Sequence, residues 1–76
     1  MKTRLTKRSV ETLSPTEERY VVWDKETTGF GVRVNRDGSK TFVAKYFVNG
    51  RQRWLSIGKF GALTVEQARK EARYTL

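Results

Sequence analysis

Apolar and polar residues alternate most sharply in the middle of the chain, where Phe30, Val32 and Val34 are interleaved with Gly31, Arg33 and Asn35. A period of two marks a strand with one buried face. Asn35-Arg36-Asp37-Gly38-Ser39 follows and suits a type I turn with Gly38 in the left-handed position. That turn sets Asn35 opposite Ser39, and so Val32 opposite Phe42 and Phe30 opposite Ala44. The next strand runs from Thr41 to Val48 and ends at Asn49-Gly50, the strongest short-range hairpin signal. A two-residue loop there pairs Val48 with Arg51, Lys45 with Trp54, Ala44 with Leu55 and Phe42 with Ile57. The two turns agree on one apolar face of Phe30, Val32, Val34, Phe42, Ala44, Tyr46, Leu55 and Ile57, which needs a cover.

The cover is expected at the C-terminal end. Thr64-Val65-Glu66-Gln67 is a capping box, and Val65, Ala68 and Ala72 form one stripe of the helix it starts. Arg69, Lys70 and Arg73 fall off that stripe and read as a solvated face, and no C-cap glycine precedes Leu76, as in a chain that continues. Near the N-terminus, Thr6 is placed to cap a short helix with Leu5 and Val10 as a hydrophobic staple, and Pro15 closes it. Tyr20-Val21-Val22-Trp23 reads as a first strand whose facing is left open. The expected fold is α+β: a small antiparallel sheet of three to four strands, a C-terminal helix packed on one face, and a short N-terminal helix.

Composition narrows what such a fold does. The sequence has 76 residues, room for one domain with a marginal core, which excludes a multi-domain enzyme. With Cys 0 and His 0 there are no disulfides, no zinc sites and no imidazole or thiol catalysts, so neither cofactor nor metal is expected. Hydrophobic residues are only 37%, but nine aromatics (Trp 2, Tyr 3, Phe 4) supply anchors that a disordered tail lacks. No apolar run approaches the roughly 20 residues of a membrane span, and residues 1–10 lack a signal-peptide core. A soluble, intracellular protein is expected. Net charge +8 favours a polyanionic partner.

The strand register puts Arg33, Thr41, Val43, Lys45, Phe47, Gln52, Trp54 and Ser56 on the face opposite the core. Cations and amides that reach base edges, with hydroxyls and aromatics that contact thymine methyls, sugars or bases, make this a candidate base-reading face. Arg36, Lys40, Arg51 and Lys59 lie at turns and strand ends, where they suit phosphates. From Arg33 to Lys59 seven cations face Asp37 alone. Taken singly, Arg36, Lys40 and Arg51 fit a merely solvated sheet equally well. The first strand or the N-terminal helix folding over Phe47 and Trp54 is a further structural alternative. Arg53 has core-face parity, and its stem is expected to snorkel. Phe47 and Trp54 also allow a single-strand or RNA-binding module in which both stack on bases, and exposed aromatics allow a protein-docking face. Gly29-Phe30-Gly31 is only a weak match to a ribonucleoprotein motif and is better explained by glycine relieving crowding at a sheet edge.

Tyr20 to Asp24, Gly29-Phe30-Gly31-Val32-Arg33-Val34, Lys40-Thr41-Phe42-Val43, Val48-Asn49-Gly50-Arg51, Leu55-Ser56-Ile57-Gly58-Lys59-Phe60 and Ala62 to Arg69 occur in one order and spacing. This series resembles the N-terminal arm-type DNA-binding domain of tyrosine-recombinase integrases of temperate phages and genomic islands, over about Leu5 to Arg73. The resemblance implies a sheet set in the major groove of duplex arm-type repeats, with a helix behind it. It also implies that residues 1–76 are one binding domain, monomeric alone, cut from a longer recombinase that is oligomeric on DNA and whose catalytic tyrosine lies elsewhere. Tyr20, Tyr46 and Tyr74 have no histidine to work with. Gly61 replaces a usual proline and Gln67 a frequent alanine, so a looser turn and a stronger cap are expected before the helix.

Overall fold

The computed structural model describes residues 2–75. Along the chain run β1 (Lys2–Thr3), α1 (Lys7–Glu11), β2 (Tyr20–Asp24), β3 (Phe30–Val34), β4 (Lys40–Val48), β5 (Arg51–Lys59) and α2 (Val65–Thr75). The strands form one five-stranded sheet in the order β1-β2-β3-β4-β5. β2 to β5 are antiparallel, while β1 pairs parallel to β2, so the sheet is mixed rather than antiparallel and has more strands than expected. β1 escapes sequence reading because two residues carry no alternation to read. The missing C-cap signal at Leu76 lies outside the described residues.

Local chemistry explains the turns. Gly38 has φ 92°, and the Asp37 carboxylate accepts from the Ser39 N–H at 3.0 Å and from its hydroxyl at 2.7 Å. Those bonds hold the Asp37 carboxyl below its usual range. Asn49 and Gly50 take φ 50° and 77°, the paired left-handed geometry of a tight hairpin. The β3–β4 register is the expected one, with Phe30 opposite Ala44 and Val32 opposite Phe42. β4–β5 agrees from Val48–Arg51 to Val43–Ser56, then slips: Phe42 faces Gly58, not Ile57. Ile57 is the extra residue of a bulge. Gly58 suits the new position because a Cβ there would lie 2.6 Å from Leu63 Cδ1. The slip also brings Lys59 opposite Thr41, onto the outward face.

β4 and β5 are nine residues long and β3 only five, so the Lys45–Trp54 end of the hairpin extends past its neighbours. Leu55, assigned by parity to the core, is 40% exposed on β5, the edge of the sheet. The core lies at the other end, where α2 covers β4 and β5 with Val65, Ala68 and Ala72, all buried. Thr64 Oγ1 accepts from the Gln67 N–H at 3.1 Å and Gln67 returns the bond at 2.9 Å, so the expected capping box starts α2. Gly61 precedes it at φ 108°, a conformation closed to the proline ring. On the same side, Thr6 caps α1, and Leu5 and Val10 are both fully buried.

Arg69 corrects the sequence reading. Expected on a solvated face, it is 1% exposed and binds Asp24, which is itself fully buried on β2. Arg69 Nε donates to Asp24 Oδ2 at 3.1 Å, Nη2 donates to the Leu5 carbonyl at 2.6 Å, and Nη1 bonds the Glu66 carboxylate. Asp24 also accepts from the N–H groups of Leu5 at 3.0 Å and Thr27 at 2.9 Å. The guanidinium lies 5.8 Å from the Phe30 ring centroid. Burial alone would raise the Asp24 pKa, but the Arg69 bond and the two N–H groups outweigh it and hold the carboxyl below its ordinary 3.8.

Removing either partner strands a buried charge, so Asp24→Asn or Arg69→Met is expected to destabilise the fold by about 3 to 5 kcal/mol in chemical denaturation. Because the folded carboxyl has the lower pKa, its contribution is complete well above 3.8, begins to fade near that value and is lost as pH falls on through the lower folded pKa. Stability measured between about pH 5 and pH 3 should therefore fall more steeply in the wild type than in Asp24→Asn. Equal slopes would remove Asp24 as the source.

Candidate nucleic-acid interface

With Val22 and Asp24 turned into the core, Val21 and Trp23 must point to the other side of the sheet. Trp23 sits opposite Gly31, and a Cβ on Gly31 would lie 2.8 Å from Trp23 Cε3, so the indole lies across the strand where a side chain is missing. It reaches Trp54 of β5, with ring centroids 5.4 Å apart and planes tilted by 45°. Lys45 of β4 stands beside both, its Nζ 4.8 Å from the Trp23 ring centroid and 5.9 Å from that of Trp54. Trp23 was not among the residues assigned to this face from sequence. The available signal was Gly31, a gap in an otherwise filled alternation.

The other expected residues divide. Phe47 is 69% exposed and Trp54 47%, so neither the first strand nor α1 covers them, although the single side chain of Trp23 meets Trp54. Gln52 and Ser56 are exposed and Thr41 is half-buried. Arg33, half-buried, lines a groove with Arg19, Val21 and Trp54, and its Nε has no protein partner. Val43 is the exception: it has outward parity but is 1% exposed, with Gly31 and Ser56 beside it in the sheet. It packs within the face instead of presenting a surface.

Arg36 and Arg51 are exposed at their turns, and Lys59 is exposed on the outward side. Lys40 has the parity of Phe42, facing the helices, and its Nζ donates to the Glu11 carbonyl at 3.5 Å. Arg53, opposite Tyr46, also lies on the helix side, where its parity put it, and is exposed. Beside Lys45 a hollow of about 430 Å³ is lined by Lys2, Trp23, Asp24, Thr28, Gly29 and Phe47. Away from this face, Glu26 receives Arg4, Arg69 and Arg73 at 3.5, 3.9 and 3.6 Å. The outward face offers flat aromatic surface, and among the described residues Arg33 and Lys45 on it form no ion pair with a carboxylate. Among the described residues no group of three or more His, Cys, Asp or Glu is placed to hold a metal, and no helix is long and apolar enough to cross a membrane.

A family model described as "Arm DNA-binding domain" matches residues 5–76. The chain is 31% identical over 71 residues to the prophage integrase IntZ of Escherichia coli (strain K12), covering 93% of this chain and 18% of that protein. It is 29% identical over 68 residues to the integrase of Shigella phage Sf6 and to the prophage integrase IntS of E. coli (strain K12), covering 90% of this chain and 17% of each. The chain thus spans less than a fifth of the length of these curated relatives.

If Phe47 is exposed for contact and not for packing, Phe47→Ala should alter stability by no more than about 0.5 kcal/mol. Phe42→Ala, in the core, should cost about 3 to 5 kcal/mol. Denaturation of both variants checks the contrast, and a large loss from Phe47→Ala would place that ring in the core.

Proposed function

The chain belongs to the family of arm DNA-binding domains, and from that membership we propose that it binds duplex DNA sequence-specifically, with the outward sheet face in the major groove of arm-type sites. The single observation that carries the reading is the Trp23, Lys45, Trp54 and Phe47 surface, aromatic and cationic, whose Lys45 has no ion-pair partner among the described residues, on the side of the sheet away from α2. The dimensions support it. Three strands at about 4.8 Å spacing span roughly 10 Å between outer axes, which suits a groove about 12 Å wide. Arg33, Lys45 and Gln52 then reach base edges, Thr41 and Ser56 add hydroxyl contacts, and Phe47 and Trp54 supply apolar contact to thymine methyls and sugars. Arg36, Lys59 and Arg51 meet phosphates at the rim. Lys40 adds charge while it secures α1.

In this reading residues 1–76 are the targeting part of a longer integrase, a tyrosine recombinase whose strand cleavage and rejoining lie outside this segment. The binding step brings the recombinase to its site during integration and excision, and the segment alone is monomeric.

The deciding experiment selects a random duplex pool with the 76-residue chain at near-physiological salt and sequences the bound fraction. One recurring short motif is expected. Binding with no motif, or preference for single strands with Trp54 quenching, would replace this reading with the single-strand or RNA one. On the recovered motif, Arg33→Ala is expected to cost about 1 to 3 kcal/mol and to relax base preference. Lys59→Ala should weaken all sequences alike and lower the salt slope by about one. Equal losses from Arg33→Ala on motif and scrambled duplexes would remove it from the base-reading set.

A further inference from the structure

Lys45 differs from the other outward cations in how it is held. Its Nζ lies 4.8 Å from the Trp23 ring centroid and 5.9 Å from that of Trp54, and these two indoles come from opposite sides of β4. Trp54 is its direct cross-strand neighbour, whereas Trp23 reaches it from β2 across Gly31. No carboxylate lies within ion-pairing distance of Lys45 among the described residues. Two aromatic faces attract an ammonium and restrict its rotamers without neutralising it or consuming its three N–H donors. Lys45 therefore has a fixed direction and free donors, a combination that a solvated lysine lacks.

We propose that Trp23 is a positioning residue for base recognition: with Trp54 it cages the Lys45 ammonium so that its donors meet a base edge with two adjacent acceptors, the O6/N7 pattern of guanine. The inference rests on the duplex-binding reading above. Position decides between a base and a phosphate, because Lys45 is on β4, the middle of the three strands that fill the groove, while phosphates line its rims. Gly31 belongs to the device, since a Cβ there would lie 2.8 Å from Trp23 Cε3 and 2.9 Å from the Val22 carbonyl oxygen. The cage thus uses four strands: a ring from β2, a gap in β3, a cation from β4 and the second ring from β5.

Two readouts test it. In proton–carbon NMR of the free chain, the Lys45 ε-methylene protons should be shifted upfield of the other lysines by the indole ring currents. The shift should collapse in Trp23→Leu and survive in part in Trp23→Phe. In binding, Trp23→Leu should reduce discrimination between the selected motif and the same motif with its guanine replaced by about tenfold. Trp23→Phe should recover most of that discrimination, Gly31→Ala should lose it with both Trp23 and Lys45 intact, and the salt slope should not move. Unshifted Lys45 protons in the wild type overturn the cage, and undiminished discrimination in Trp23→Leu overturns its role in recognition. If Trp23→Leu does not fold, the wild-type shift and the Trp23→Phe binding data decide. A wild type that selects no motif overturns the duplex reading instead, and the cage then stands or falls on the NMR shift.

Discussion

A carboxylate and a guanidinium buried together in a small core are the constraint to which the other elements are fitted. Each ion leaves water at a cost of several kcal/mol, recovered only when its remaining lone pairs and protons find partners. Asp24 and Arg69 find them in backbone as well as side chains: the Leu5 N–H binds one, the Leu5 carbonyl the other, and the Thr27 N–H closes the set. The pair therefore fixes an N-terminal segment, the end of β2 and α2 at once. It also sets the face of β2. With Asp24 inward, Trp23 has to be outward, so the aromatic surface on one side of the sheet depends on an ion pair on the other.

The sheet separates stability from contact along its length. At one end α2, α1 and the five-residue β3 enclose Val32, Phe42 and Ala44. At the other, β4 and β5 continue beyond β3 as a bare two-stranded ribbon carrying Phe47, Gln52 and Arg51. A chain of this size cannot enclose both ends, because its surface is large relative to its volume. The bulge at Ile57 lets the same strand serve both purposes. It keeps a glycine beneath Leu63 on the core side and turns Lys59 to the outward side.

What could be read from sequence was what short-range chemistry decides. Gly38 and Asn49-Gly50 fix their hairpins by backbone conformation, and from those two turns most of the pairing of three strands follows. Thr64 and Gln67 set the start of α2 in the same local way. The failures are all non-local. Arg69 meets a partner 45 residues away, and helical spacing alone left it on the solvent side. β1 has two residues and no pattern, and the bulge depends on Leu63 filling the space above Gly58. On the candidate face, parity placed Lys45, Phe47 and Trp54 correctly on the outward side, but it reports direction and not depth. Val43 shares their parity and is buried, and Trp23 joins them only once β2 is anchored.

The charge distribution carries the same logic into function. A net +8 on 76 residues opposes compaction by self-repulsion, and three of the eight carboxylates gather at Arg69. Asp24 and Glu66 serve Arg69, and Glu26 collects Arg4, Arg69 and Arg73. Arg33 and Lys45, on the outward face, have no ion pair among the described residues and keep their mutual repulsion in the free chain. A polyanion laid on that face would remove the repulsion and release its own counterions in the same step. Any ligand that binds only the folded state also shifts the folding equilibrium toward it. Carboxylates added to the outward face would relieve that repulsion and weaken the binding of a polyanion there, so on the proposed reading the strain of this face and its affinity for DNA have one source.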